Sequence, residues 1–314
     1  MKIANIELKS DAVLAPVAGF TDVGFRDVCA RYGAGLTYTE MISCKGMVYG
    51  SEKTKELLAT TSSESVKAVQ IFGNSPEIMA QAVAMPEMAK FDIIDINMGC
   101  PVPKIVKNGE GSALINDPKL AMKIVKAIKD ITDKAVTVKF RKGFALTEDK
   151  AVDFAKYMQD ARADAIAVHG RTREQYYQGT ADWDCIARVV QAVDIPVFAN
   201  GDVVDLESYI KIKKHTNADG VMIARGALCS PKIFLEIASF NGINTLWQNS
   251  DTKRDILHQI FVLSEYFNDR YIYSNMKKLI CFYSKGVSGA KRIKAEICRA
   301  ESKAELIKIV QENF

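Results

Sequence analysis

An apolar run from Phe91 to Ile96 stops abruptly in Asn97-Met98-Gly99-Cys100-Pro101. The pattern reads as a buried strand feeding a loop that presents an amide, a glycine and a thiol. A lone cysteine of this kind is more often an inert buried thiol than a reagent. Other apolar runs change that reading. They end in Pro16-Val17-Ala18, Gln70, Lys139-Phe140-Arg141, His169-Gly170-Arg171, Asn200-Gly201-Asp202 and Ala224-Arg225-Gly226. Gathered in one place, these groups suit a flavin mononucleotide (FMN). The two glycine-bearing loops, with Arg225, can hold a phosphate. A cation such as Lys139 stabilises the negative charge of a reduced flavin, and the Gln70 amide can bond the ring edge. His169 is placed to touch flavin or substrate. A thiol with an ordinary pKa of about 8.5 is mostly protonated at neutral pH, so Cys100 can protonate a carbon whose neighbour has taken up hydride.

The spacing of the elements is what gathers these groups. Strands are expected at 13–15, 36–41, 66–72, 91–97, 135–140, 163–168, 195–199 and 220–224. Helices are expected at 23–32, 51–58, 76–90, 117–129, 147–159, 182–192, 204–214 and 231–239. Eight strands, each followed by a helix, predict an α/β fold: a (β/α)8 TIM barrel over residues 1–242. No G-x-G-x-x-G follows the first strand, which disfavours an open doubly wound sheet. In such a barrel the C-terminal strand ends share one mouth, and there the chemistry is kept. The alternation stops after Asn241-Gly242. Residues 253–268, 272–284 and 290–313 read as helices, with Ile256, Ile260, Leu263 and Phe267 on one face. Residues 243–314 are therefore expected to form a small all-helical domain.

Charge is uneven along the 314 residues. Residues 243–314 carry 12 Lys/Arg against 8 Asp/Glu, whereas the rest is balanced. Seven basic residues and one acid fall within 276–299. A neutral body with a basic tail fits an enzyme acting on a polyanion. The seven cysteines are scattered, odd in number and form no CxxC pair. A reducing cytoplasm without disulfides or zinc knuckles is expected. No signal peptide, membrane-spanning run or metal motif is read, and a zinc deaminase pattern is missing.

The order of motifs resembles the tRNA-dihydrouridine synthases. It runs through Ala15-Pro16-Val17-Ala18-Gly19, Val69-Gln70-Ile71-Phe72-Gly73, Asp95-Ile96-Asn97-Met98-Gly99-Cys100-Pro101, Gly111-Ser112-Ala113-Leu114, Val138-Lys139-Phe140-Arg141, Val168-His169-Gly170-Arg171-Thr172-Arg173, Asn200-Gly201-Asp202 and Ala224-Arg225-Gly226-Ala227-Leu228. Motif spacing is most like the bacterial B subfamily. The resemblance implies an FMN enzyme that uses NADPH (or NADH) to reduce a uridine of tRNA to 5,6-dihydrouridine. Hydride would pass from flavin N5 to C6 and a proton from Cys100 to C5. Pro16, Val17, Ala18, Gln70, Lys139, His169, Asn200, Gly201, Asp202, Ala224 and Arg225 would hold FMN. Asn97 and Arg171 would touch the base. Lys291 and Arg292, in the basic tail, would meet tRNA. The subfamily points to position 17 of the D-loop, and a monomer is expected. Val17 stands where Met is usual and Ala224 where Gly is common.

Two other classes compete. An FMN oxidoreductase acting on a small pyrimidine, like dihydroorotate dehydrogenase, would share the flavin site without needing a basic helical domain. A flavin-free RNA-binding barrel would be colourless when purified.

Overall fold

The computed structural model describes residues 1–314. Eight barrel strands run Ala12–Leu14, Thr37–Tyr38, Lys67–Phe72, Ile93–Met98, Ala135–Gly143, Ala165–Thr172, Val197–Asn200 and Gly220–Ile223. Each is hydrogen-bonded in parallel to its neighbour from the second strand round to the eighth, and the eighth pairs with the first. Two backbone bonds close the remaining seam: Leu14 N–H to Leu36 O and Gly35 N–H to Ala12 O, both 2.9 Å. A short strand, Ile42–Ser43, adds to the third strand's edge.

Period-two alternation explains the two cores. Val136, Val138, Ile166 and Val168 point outward and join the helices in a cluster of 68 buried residues. Ala135, Ala165, Ala167 and Phe198 point inward, in a separate cluster of 13. That inner cluster also contains Ile3 and Leu8, from an N-terminal segment in which Lys2–Ile3 pairs antiparallel with Ile6–Glu7. The hairpin plugs the N-terminal end of the lumen and leaves the other end as the mouth.

Four helices follow the barrel: Thr252–Ser264, Asp269–Tyr283, Ala290–Arg299 and Lys303–Asn313. The first of them packs on Val23–Arg31, the helix after strand one. Gly24 permits this approach, because a Cβ there would lie 2.7 Å from Gln259 Cγ and 2.8 Å from its carbonyl oxygen. Buried polar pairs fasten the contact: Tyr32 O–H donates to Asp255 (2.7 Å), Gln259 to Asp22 (3.2 Å), and His258 meets Asp27 (2.7 Å).

Several elements differ from the sequence-based expectation. The helix expected over 76–90 ends at Val83, because Pro86 forces Met85 into extended backbone. A short 3-10 turn, Pro86–Met88, follows. The helix expected over 290–313 breaks at Ala300 (ψ 139°), and Ser302 caps a new one by accepting the Glu305 N–H. The hairpin and the short helices Pro103–Lys107 and Arg225–Cys229 had no counterpart in the expected elements.

Candidate active site

Inward positions turn polar as each strand nears the mouth. Ile93 is followed by Asp95 and Asn97, Ala135 by Thr137 and Lys139, and Ala167 by His169. Phe198 gives way to Asn200 in the same manner. Parallel register sets Asn97 opposite Lys139 and His169 opposite Asn200. Lys139 Nζ then reaches Asn200 Oδ1 at 3.2 Å, and Asn200 Nδ2 donates to Met222 O at 2.7 Å.

The cysteine loop is held from three sides. Asn97 Oδ1 accepts the N–H groups of Gly99 (3.2 Å) and Cys100 (2.9 Å). Arg141 Nε donates to Gly99 O (2.9 Å), while its Nη1 ties down Thr172 O and Tyr176 O. Ser112 N–H donates to Cys100 O at 3.1 Å. Gly111 is required there: its φ is +60°, and a Cβ would meet Cys100 O at 2.9 Å and Cys100 Cβ at 3.0 Å. Burial pushes the Cys100 thiol up, against the Val102 N–H and the charges of Arg141 and Lys139. The thiol therefore stays protonated through neutral pH. Burial, with Arg141 beside it, pulls Lys139 down to about 8. His169 is held well below its ordinary value by burial and by Arg141, Lys139, Arg171 and Arg225, so its imidazole is neutral.

At the strand-seven end the residues fit a phosphate. Arg171 is 2% exposed and donates to Gln178 O (3.1 Å), Gly179 O (2.6 Å) and the Asp202 carboxylate (2.8 Å). Its Nη1 is buried with no partner. A buried guanidinium N–H without an acceptor is costly, and an anion would satisfy it. Gly201, at φ +137°, lets this turn pack closely on its neighbours, because a Cβ there would collide with Ala181 Cβ at 2.5 Å. The backbone N–H groups of Gly201 and Asp202 find no protein acceptor. Arg225 reaches Asp202 at 3.3 Å and lies 5.2 Å from the exposed Tyr177 ring, which also faces Arg141 at 5.8 Å.

Most residues singled out from the sequence converge on this mouth. Pro16 and Val17 are half-buried and Ala18 exposed, in a loop where Val17 N–H bonds Thr21 Oγ1 (2.9 Å) and Gly19 N–H bonds the Glu40 carboxylate. Gln70 is fully enclosed, with Asp95 and Asn97 as partners (2.7 and 2.8 Å). Ala224 is half-buried just after strand eight. Lys291 and Arg292 lie apart, exposed on the Ala290–Arg299 helix, where Arg292 pairs with Glu296 and Asn313 (2.6 Å each). Asp95 and Thr137 were not among the expected site residues, and Arg141 was expected at the mouth without a role of its own. The signal for them was present, since each stands two positions from a chosen residue on the same inward face. No His, Cys, Asp and Glu cluster is arranged to hold a metal, and no helix is long and apolar enough to cross a membrane.

A barrel with a phosphate-fitting cradle, a mouth cation and a protonated thiol is that of a flavin-dependent oxidoreductase. A family model, dihydrouridine synthase (Dus), matches residues 13–314, and the chain belongs to that family. It is 38% identical over 272 residues to tRNA-dihydrouridine synthase B of Vibrio vulnificus (strain CMCP6), covering 86% of this chain and 84% of that one. It is 35% identical over 301 residues to a probable tRNA-dihydrouridine synthase of Rickettsia conorii (strain Malish 7), covering 95% and 91%. Among solved structures it is similar in fold to histamine dehydrogenase from Rhizobium sp. 4-9, with a TM-score of 0.60 at 13% identity over 83% of this chain. A 2-naphthoyl-CoA reductase gives 0.60 at 12% identity over 77%. The chain spans about half the length of these two structures.

Proposed function

We propose that this protein reduces a uridine of tRNA to 5,6-dihydrouridine, with FMN as its flavin, NADPH as reductant and Cys100 as proton donor. The observation that carries the reading is Cys100 itself: a thiol kept protonated by burial, on a loop clamped by Asn97 and Arg141 at the mouth. FMN, when bound and reduced, would supply the hydride equivalent that the uracil C5=C6 bond takes up at C6. The carbanion character then left at C5 takes the proton held on Cys100 Sγ, and the thiolate recovers a proton from solvent. Lys139 would offer its charge to the electron-rich edge of the bound ring system, and the remaining N–H of the Gln70 amide would bond that edge. Asn200, Gly201, Asp202 and Arg225 hold the phosphate end with Arg171 behind them. In this reading Arg171 acts on the phosphate side, because its guanidinium is enclosed by Gln178, Gly179 and Asp202. The Pro16–Ala18 loop and Ala224 would line the remaining wall, and neutral His169 would contact flavin or base.

The target uridine must leave its stack, at a cost of about a few kcal/mol. Residues 243–314 form the tRNA-binding part, with Lys291 and Arg292 on its exposed basic helix contributing phosphate contacts. The likeness to the B-type relatives supports position 17 of the D-loop as target. The test is direct. The purified protein is expected to be yellow and to release FMN on denaturation. With NADPH it is expected to form dihydrouridine in tRNA from a strain lacking that modification, with the position read by mass spectrometry of digested tRNA. A colourless protein overturns the flavin reading. Reduction of free uracil or orotate in place of tRNA favours a small-pyrimidine enzyme.

A further inference from the structure

Four buried side chains below the mouth form a hydrogen-bonded chain whose direction is fixed from both ends. At one end Asn97 Oδ1 faces the N–H groups of Gly99 and Cys100 at 3.2 and 2.9 Å. Backbone N–H groups only donate, so the atom opposite them must be the amide oxygen. Asn97 Nδ2 therefore points to Gln70 and donates to its Oε1 at 2.8 Å. At the other end stands Asp95, 1% exposed and with no ion-pair partner. Burial raises the Asp95 carboxyl to about 6, against the Thr137 and Gln70 hydrogen bonds and the Lys139 charge, so at pH 8 it is ionised and only accepts, here from Thr137 Oγ1 (2.5 Å) and Gln70 Nε2 (2.7 Å). The peptide groups and the carboxylate thus demand the same orientation of both amides.

We propose that Asp95 is a positioning residue for the Cys100 loop. Its carboxylate orients Gln70, Gln70 orients Asn97, and Asn97 holds the backbone that carries the thiol. A second consequence follows from counting donors. Asn97 Oδ1 is saturated by two N–H groups, while each amide keeps one N–H outside the chain. Asn97 thus offers only a donor to anything bound beside it, which selects for rings edged with carbonyl oxygens. The catalytic consequence rests on reading Cys100 as proton donor, whereas the orientation of the loop does not.

Reversing the chain tests this. Asn97→Asp keeps an acceptor for the loop but sets a second acceptor against Gln70. Gln70 must turn, and its oxygen then faces the Asp95 carboxylate. Adding Asp95→Asn supplies an N–H at that point, so both bonds to Gln70 can re-form with opposite direction while Thr137 and the loop N–H groups still donate. The readout is the rate at which iodoacetamide alkylates Cys100 in the full-length protein, followed on the Cys100 peptide by mass spectrometry from pH 6 to 9. N97D is expected to expose the loop and speed alkylation about tenfold at pH 8, the scale of one buried unpaired polar group. The ratio to wild type should shrink toward pH 6, where a proton on either carboxylate restores a donor to the Gln70 oxygen. The double variant D95N/N97D, which carries the same new carboxylate beside Cys100, should regain protection to within about threefold at every pH. If N97D does not yield folded protein, the expected result is recovery of cooperative melting in D95N/N97D. A double variant as labile, or as unfolded, as N97D overturns the proposal. Alkylation needs neither tRNA nor turnover, so this outcome is separate from failure of the proposed activity.

Discussion

The two ends of the barrel lumen use the same eight strands and the same inward positions, yet they are opposite in kind. At the N-terminal end Ile3, Leu8, Val13, Ala135 and Phe198 meet in a sealed apolar cluster. At the mouth, two to four residues further along, stand Gln70, Asn97, Lys139, His169 and Asn200. The apolar end is complete in itself, because dispersion and burial need no partner of defined geometry. The polar end is incomplete: Arg171 Nη1 has no acceptor, and Lys139 and His169 are both displaced toward their neutral forms. Strand alternation decides which side chains enter the lumen. Distance along the strand decides whether they build a core or a site.

Substitutions at the two ends should therefore separate activity from stability. Cys100→Ala is expected to show the largest change, a loss of dihydrouridine formation of about 10²–10⁴-fold with flavin content and NADPH-driven flavin reduction retained. Quantifying dihydrouridine by mass spectrometry, alongside the flavin spectrum, checks both halves. At the plugged end, Leu8→Ala should cost about 2–5 kcal/mol of stability in denaturant unfolding while turnover per folded molecule is unchanged. A catalytic loss there would break the contrast between the ends. Arg171→Met removes the buried guanidinium and should weaken FMN binding about 10–100-fold, measured by titrating stripped protein with FMN.

The pH dependence sharpens the same contrast. Lys139 is charged below about 8 and loses its proton above it, whereas Cys100 keeps its proton to still higher pH. Both protonated forms favour the reaction, so turnover should fall on the alkaline side, with the first inflection at or above 8, since an anionic ring beside Lys139 raises its pKa. Lys139→Met should lower the plateau and remove that inflection, as a pH–rate profile would show. The smallest effect is expected on the helical domain. There Arg292 is 64% exposed by its side chain, against 2% for Arg171, and its charge is already solvated and paired with Glu296. Reversing charge at Lys291, Arg292 and Lys294 should weaken tRNA binding modestly and flatten its salt dependence. An unchanged salt slope would place the RNA contacts on another face.

Much of this was legible in the sequence. The (β/α)8 order follows from alternating apolar runs and helical periods, and the strand ends carry nearly every group that the mouth assembles. The hairpin over residues 1–10 was not legible, since two-residue strands carry no period and this pair is stable only against the open lumen. The break at Ala300 was hidden because Ala290–Arg299 and Lys303–Asn313 each continue a helical pattern across it. The role of Asp95 needed the fold as well. Only parallel register places it beside Gln70 and Thr137, from two other strands. The same holds for Arg141, whose reach to Gly99 on one side and to Thr172 and Tyr176 on the other links the ends of the strands that flank its own.

The central claim is that Cys100 is a proton donor and not a nucleophile. Its pKa, read from the pH dependence of iodoacetamide alkylation at the Cys100 peptide in the protein without tRNA, tests that claim most directly. The expected result is a value above the ordinary thiol value of about 8.5, because burial outweighs Arg141 and Lys139. A value well below 7 would mean a standing thiolate at the mouth, and would contradict the assignment of Cys100 as the acid.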